Sequence, residues 1–140
     1  MLIFMYDSPR SSIHDEIPSE AFKKAMQIDS DGWCGFRTLA LQHYGNQYLF
    51  PRVKCMMLEY MCQHEEDVIA TVCYGSRQEY KTLQDGREYG ATKKSSAQTK
   101  NFCPKKYWFD AWTDCQLAAN TFNRPVVVYS DDPEAFPTKI

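Results

Sequence analysis

A glycine-containing turn that leads directly into an apolar helix is the feature that most constrains this chain. Residues 31–37 read Asp-Gly-Trp-Cys-Gly-Phe-Arg, and apolar residues then recur at helical spacing as far as a stop signal at Gly45. This pattern places Cys34 in the first turn of a helix. Because the first N–H groups of a helix have no partner within it, they favour a thiolate and can hold an oxyanion. Gly32 and Gly35 are expected to leave the approach to the sulfur clear.

The same residues resemble the nucleophile motif of the ovarian tumour (OTU) family of papain-like cysteine peptidases, which are mostly deubiquitinases. A second block, residues 107–129, is similar to the Trp, helix and Pro-led strand that follow in many OTU domains. The resemblance implies that Cys34 and Asp31 are the catalytic residues, and that Gly32 and Trp33 belong to the oxyanion turn. It further implies isopeptide hydrolysis through an acyl-enzyme on Cys34, with ubiquitin or a ubiquitin-like protein as the partner.

An imidazole base is the part of this site that the sequence does not supply. The resemblance places a catalytic His on a strand beyond Tyr129, and no His follows that residue. His43 lies about 13 Å from Cys34 along a helix, His64 belongs to the next predicted helix, and His14 lies in the N-terminal segment. We therefore expect a lead-in segment over 1–29 and an OTU-like domain over 30–140 that is truncated or diverged at its C-terminus, with very slow hydrolysis.

The remaining patterns predict a domain of helices packed on a small sheet. A second helix is expected from Pro51 to about Glu66, and a later one is expected near Thr113 and Gln116, which have capping-box spacing. Residues 126–129, three valines followed by a tyrosine, form a run of strand-favouring residues of the kind found in buried strands. The predicted fold class is α/β (α+β), of papain type and OTU-like, with an incomplete sheet whose open edge favours self-association.

Two segments between these helices are harder to assign from the pattern. Residues 68–74 fit either a strand or the end of a helix, because periodicity cannot separate the two over so short a run. Residues 75–102 are mostly polar and contain an Asp85-Gly86 turn signal, which predicts a long surface excursion.

Composition narrows the class of protein. A chain of 140 residues with 44% hydrophobic content fits one domain, and a net charge of −2 gives no overall attraction to nucleic acid or membrane. Six cysteines without an export signal indicate free thiols and an intracellular location, cytoplasmic or nuclear. No metal or organic cofactor is predicted, because the chain has no Cys-x-x-Cys pair and no second cluster at zinc-site spacing.

A locally basic stretch over residues 77–106 provides an alternative function. Lysines and arginines alternate there with aromatic residues, which is the composition of many surfaces that bind single-stranded nucleic acid. A solvated loop and a contact surface for a protein such as ubiquitin are the competing interpretations, and both rank above nucleic acid. The alternative to the peptidase is therefore a non-catalytic module that binds ubiquitin or associates with nucleic acid through this stretch.

Overall fold

Helices account for the architecture of the described chain. The computed structural model describes residues 27–91, 96–128 and 138–139. The predicted lead-in segment therefore lies outside the described residues except for its last three positions. In chain order the helices are α1 (Cys34–Tyr44), α2 (Phe50–Gln63), α3 (Glu65–Thr71), α4 (Arg77–Glu88), α5 (Ser96–Thr99) and α6 (Thr113–Phe122). Two 3-10 turns, Gln47–Leu49 and Lys105–Tyr107, precede α2 and α6. None of the helices in these ranges combines the length and the apolar character needed to cross a membrane.

The predicted α/β fold is wrong, and the described chain is all-α. Extended pairing in the described ranges is limited to β1 (Val127–Val128) and β2 (Thr138–Lys139), which run antiparallel with Val127 opposite Lys139. A two-residue ladder cannot provide the layer on which helices pack, so the core forms between helices instead. Self-association through an open sheet edge stays a prediction. The incomplete sheet from which it was inferred is not present among the described residues.

Helices α1 and α2 begin where the sequence predicts them and pack against each other, but α2 ends at Gln63 rather than near Glu66, and α3 begins at Glu65. Helix α1 ends at Gly45, whose φ of +73° is the left-handed conformation that favours glycine, and its N–H donates to Leu41 O. Helix α2 has Pro51 in its first turn, where a missing N–H costs nothing. The core between the helices contains mainly aromatic and aliphatic side chains: Trp33, Phe36, Leu39, Ala40, Phe50, Val53, Met57, Met61, Val68, Leu117 and Ala118.

The segment predicted as a surface excursion contains a full helix instead. Helix α4 begins after Ser76, whose side-chain oxygen accepts a hydrogen bond from Glu79 N at 3.1 Å. Tyr80 and Leu83 lie on its buried face and contribute to the core. The Asp85-Gly86 pair lies within the helix rather than in a turn, because burial of this face outweighs the helix-breaking tendency of one glycine. Residues 68–71, which the pattern left open, belong to α3.

Helix α6 is present, but it is capped differently from the prediction. Asp110 Oδ1 accepts hydrogen bonds from Trp112 N at 3.1 Å and Thr113 N at 2.8 Å, and it thereby takes the place of the predicted Thr113–Gln116 capping box. The Gln116 amide instead donates to Thr71 O at 3.3 Å. The loop before α6 therefore fixes where the helix begins.

Candidate active site at Cys34

Cys34 is exposed and is the first residue of α1. The residue before it, Trp33, is the N-cap and provides no side-chain hydrogen bond to the helix. Gly32 has a φ of +83°, which bends the chain so that the turn leads straight into the helix. The N–H groups of the first turn of α1 therefore lie beside the sulfur without a side-chain acceptor from the cap.

Asp31 forms an ion pair with Arg37, which lies about one turn into α1. Arg37 Nε donates to Asp31 Oδ1 at 3.2 Å, and Arg37 Nη2 lies 2.6 Å from Asp31 Oδ2. Asp31 Oδ1 also accepts from Trp33 N at 3.2 Å. With both carboxylate oxygens engaged, Asp31 shapes the turn, and these contacts give it no role in proton transfer.

Gly32 in the turn and Gly35 at the start of α1 do not leave the open approach to the sulfur that the sequence predicts. A Cβ on Gly32 would lie 2.6 Å from Trp108 Nε1 and 2.8 Å from Cys103 Cβ, and one on Gly35 would lie 2.3 Å from Phe109 Cγ. The space that their missing side chains leave is thus filled by residues 103–109 and is not an open approach to the sulfur. The glycines allow that segment to pack directly on the turn.

Trp33 contributes only its backbone to the turn. Its side chain is fully buried and stacks on Phe50 and Tyr89, with ring centroids 5.1 and 5.8 Å apart. The indole N–H donates to Asn101 O at 3.0 Å. Because the indole is committed to the core, it is not available to an oxyanion beside Cys34, and its position instead anchors the start of α1.

Residues 101–109 form a strap across the turn. Cys103 N donates to Asp31 O at 2.8 Å, and the Trp108 indole donates to Cys103 O at 2.8 Å. The two blocks of sequence on which the family resemblance depends also contact each other, because the Phe36 and Phe109 rings pack edge to face with centroids 5.1 Å apart. Sequence reasoning identified both blocks but gave no signal for this contact or for the hydrogen bond from Cys103 to the turn.

A cavity of about 520 Å³ opens beside Cys34, within the size range of small-molecule and peptide sites. Its walls include the two glycines of the turn and exposed aromatic rings from the strap. The lining residues are Gln27, Ile28, Ser30, Gly32, Cys34, Gly35, Thr38, Phe102, Trp108 and Phe109. No charged side chain is among these described lining residues.

Neither histidine of the described ranges hydrogen-bonds to Cys34. His43 lies near the far end of α1, with its ring centroid 4.5 Å from that of Phe122. His64 follows α2, stacks on Tyr60 at 4.2 Å and has Nδ1 3.1 Å from Tyr60 O. His14 lies outside the described residues. The structure thus brings the predicted turn residues together around Cys34 without bringing His43 or His64 to them.

A buried polar cluster lies beneath the site, and sequence reasoning missed it. Arg87 pairs with Asp114, and the Lys54 ammonium donates to Gly86 O at 3.0 Å and lies 3.9 Å from the centroid of the Phe36 ring. Lys54 and Asp114 have no exposed surface. Helical spacing offered a signal, because Lys54 lies on the same face of α2 as the core methionines.

Burial dominates the electrostatics of this interior. Burial, together with the smaller effect of the neighbouring positive charge of Arg87, lowers the pKa of Lys54 to about 7. Burial raises the pKa of Asp114 and outweighs the opposing effect of Arg87. It also raises the pKa of the Cys103 thiol to about 11 and that of Cys115 to about 12. Both thiols are therefore protonated and unreactive at neutral pH.

The basic stretch is partly neutralised by acidic residues. Arg77 lies 2.9 Å from Glu66, Lys81 lies 2.9 Å from Asp85, and Arg87 is the buried partner of Asp114. The exposed lysines of the strap region are Lys100, Lys105 and Lys106. Lys106 lines a second cavity together with Glu79 and Asp110, so acidic residues also lie beside the exposed lysines. The described part of the stretch therefore gives the nucleic-acid alternative no specific support.

Comparisons with known proteins identify no relative for this chain. No family model matches it, and neither a curated protein nor a solved structure is significantly similar to it.

Proposed function

We propose that this protein has a thiol-hydrolase site in which Cys34 attacks the carbonyl of a peptide or isopeptide bond, an activity of deubiquitinase type. The observation that carries the proposal is an exposed thiol at the first position of α1, beside a cavity of about 520 Å³. The OTU-like motif over residues 31–37 supports the same chemistry from the sequence. A ubiquitin-like protein is the proposed source of the carbonyl, on the basis of that resemblance.

The reaction divides into two steps. The Cys34 thiolate forms a bond to the carbonyl carbon, the C–N bond breaks, and the amine leaves with a proton. Water then cleaves the thioester, which releases the acid and restores the thiol. We assign the oxyanion of the first step to the N–H groups at the start of α1, which donate no hydrogen bond to the N-cap side chain. Since His43 and His64 lie elsewhere, we assign the leaving-group proton to solvent, so esters and trapping electrophiles should react much faster than amides.

A non-catalytic binding role is the second candidate, and the positions of His43 and His64 favour it. With His43 against Phe122 and His64 against Tyr60, neither imidazole is hydrogen-bonded to Cys34 as a general base would be. The cavity and the exposed rings of the strap would still bind a polypeptide. In this role the protein holds its ligand without cleaving it, and the buried core beneath the turn keeps the binding surface in place.

Covalent trapping separates the two candidates. Ubiquitin carrying a C-terminal alkyne or vinyl ester electrophile is incubated with the protein, and the adduct is located by mass spectrometry. Cys62 is the matched control, because it is also exposed but lies on α2. The proposed function predicts an adduct on Cys34 that Cys34→Ala abolishes and Cys62→Ala leaves intact. Binding without an adduct would support the non-catalytic role, and neither binding nor an adduct would contradict both.

A further inference from the structure

Lys54 extends from α2 to the two aromatic rings on which the turn at Cys34 rests. Its ammonium lies 3.9 Å from the centroid of the Phe36 ring and 5.3 Å from that of the Trp33 ring. Trp33 directly precedes Cys34, and Phe36 lies in the first turn of α1. The Lys54 side chain has no exposed surface, so these rings and the other core residues enclose it. A change of charge on Lys54 therefore acts directly on the residues that support the thiol.

The same two rings hold the strap against the turn. The Trp33 indole donates to Asn101 O at 3.0 Å, and the Phe36 ring packs edge to face on Phe109, with centroids 5.1 Å apart. Apart from one 3-10 turn, the strap is irregular. Irregular segments of this kind open at a lower free energy than packed helices do. The strap is therefore the part of the surroundings of Lys54 that separates from the core most readily.

Two cations and one carboxylate meet in this interior. Arg87 from α4 and Asp114 from α6 form the buried ion pair, and among the described residues the thiol of Cys103, from the strap, is the further titratable group that faces Lys54. Gly86 O, at 3.0 Å, accepts the hydrogen bond from the Lys54 amine. A charged Lys54 adds a second positive charge that has no carboxylate of its own. Burial, with a smaller contribution from repulsion by Arg87, accordingly lowers the pKa of Lys54 to about 7.

We infer that Lys54 is a proton-sensitive switch that controls how firmly the strap packs on the turn at Cys34. The neutral amine is stable in the core between the two rings and α4. Protonation favours the state in which the strap has separated from the turn, because water then reaches the ammonium. The strap supplies Phe102, Trp108 and Phe109 to the wall of the Cys34 cavity, so its separation removes that wall. That the switch thereby regulates a reaction at Cys34 rests on the proposed function.

Thiols in three elements report on this opening. Cys103 lies buried in the strap, Cys115 lies buried in α6, and Cys62 is exposed on α2. Short pulses of N-ethylmaleimide are applied to the wild-type protein between pH 5 and pH 8, and the labelling of each thiol is quantified by peptide mass spectrometry. Dividing each rate by the rate at Cys62 removes the effect of pH on the reaction of an open thiol.

We expect Cys103 to be labelled well before Cys115 at every pH, because the strap separates while α6 remains folded. The ratio of the Cys103 rate to the Cys62 rate should be about tenfold higher at pH 6 than at pH 8. The open state keeps a proton on Lys54 throughout this range, whereas the closed state, in which the pKa of Lys54 is about 7, gains one only as the pH falls through that value. The ratio should therefore rise mainly between pH 8 and pH 7 and level off below pH 6.

Two variants locate the source of the change. Lys54→Met keeps a long unbranched side chain in the core but cannot bind a proton, so its Cys103 ratio should be the same at pH 6 and at pH 8. Lys81→Met is the matched control, because it removes an exposed lysine of α4 that pairs with Asp85, and it should retain the tenfold change. Both variants keep every histidine of the chain, so a pH effect that came from an imidazole would appear in both.

Three outcomes would overturn the inference. The first is a Cys103 ratio in the wild-type protein that does not change between pH 6 and pH 8, and the second is an equal change in Lys54→Met. The third is labelling of Cys103 and Cys115 at equal rates, since both thiols would then be exposed by unfolding of the whole domain. The first and third need no variant, so they decide the matter even if Lys54→Met does not fold. If ubiquitin carrying an electrophile formed no adduct on Cys34 at any of these pH values, the proposed function would fail, and the labelling of Cys103 would still decide the switch.

Discussion

Arg37 and Arg87 are both buried and each pairs with an aspartate, but the two carboxylates differ in their exposure to water. The carboxylate of Asp31, in the turn at the candidate site, is 28% exposed, whereas that of Asp114 has no exposed surface. At the turn, water reaches the Asp31 carboxylate and can stabilise it if its partner is lost. In the core, Asp114 is held by Arg87 and by a hydrogen bond from Asp110 N, and removing Arg87 leaves a buried carboxylate without its paired charge. The same chemical pair thus shapes the turn at the candidate site in one region and supports the fold in the other.

Breaking the buried pair should have the largest effect. Arg87→Met leaves the Asp114 carboxylate without its partner, and we expect the free energy of unfolding to fall by about 3–5 kcal/mol in urea denaturation monitored by circular dichroism. Arg77→Met is the matched control, because Arg77 belongs to the same helix and pairs with Glu66 at an exposed position. That variant should unfold close to the wild-type midpoint. Similar losses in both variants would mean that burial does not distinguish the pairs.

The packing of the strap on the turn gives the next largest effect. Gly32→Ala adds a methyl group where Trp108 and Cys103 already lie, at a position with positive φ. We expect the free energy of unfolding, measured by urea denaturation, to fall by roughly 2–4 kcal/mol. Labelling of Cys34 by the ubiquitin electrophile should also be slower.

Gly75→Ala is the control for backbone strain alone. Gly75 has the same φ of +83°, but nothing lies within 4 Å of its Cβ position. In the Gly75→Ala variant, the free energy of unfolding should fall by about 1 kcal/mol, and Cys34 should be labelled at the wild-type rate. If Gly32→Ala and Gly75→Ala lost the same free energy of unfolding, the loss at Gly32 would come from backbone strain and not from contact with the strap.

The pH dependence of stability should sharpen the comparison between surface and core. Lys54 has a pKa of about 7 in the folded protein, below the ordinary lysine value of 10.5, so the unfolded chain binds more protons between these two pH values. Stability should therefore rise by about 1 kcal/mol from pH 6 to pH 8 in urea titrations. The raised pKa values of Cys103 and Cys115 act in the opposite direction only near pH 9 and above. In the Lys54→Met variant, the free energy of unfolding should no longer rise between pH 6 and pH 8. If the rise persisted in that variant, it would have to come from another titrating group.

The smallest effect is expected at the hydrogen bond that closes the strap. Trp108→Phe keeps an aromatic ring but removes the donor to Cys103 O, and we expect a loss of about 1 kcal/mol and slower labelling of Cys34. Trp112→Phe is the control, since Trp112 is 66% exposed. In thermal melts and in labelling of Cys34, the Trp112→Phe variant should behave like the wild-type protein. Identical behaviour of the two variants would argue that the indole N–H does not position the turn.

Local signals accounted for the parts of the fold that the sequence predicted correctly. The start of α1 at Cys34, its end at Gly45 and the position of Pro51 in α2 each depend on a few neighbouring residues. Cys34 is exposed, and its role as a nucleophile stays a prediction. Helix α4 was missed because its buried face is short, and its start depends on Ser76 as a cap more than on hydrophobic periodicity.

The sequence by itself determined where the thiol lies relative to its helix, because a turn and the helix after it are specified by hydrogen bonds within a few residues. Tertiary structure decided the rest: an all-α fold, the filling of the space at Gly32 by Trp108, and the burial of Lys54. Each of these depends on residues far apart in the chain, such as Lys54 and Gly86. Burial and long-range hydrogen bonds exist only after the helices have packed, so no local pattern specifies them.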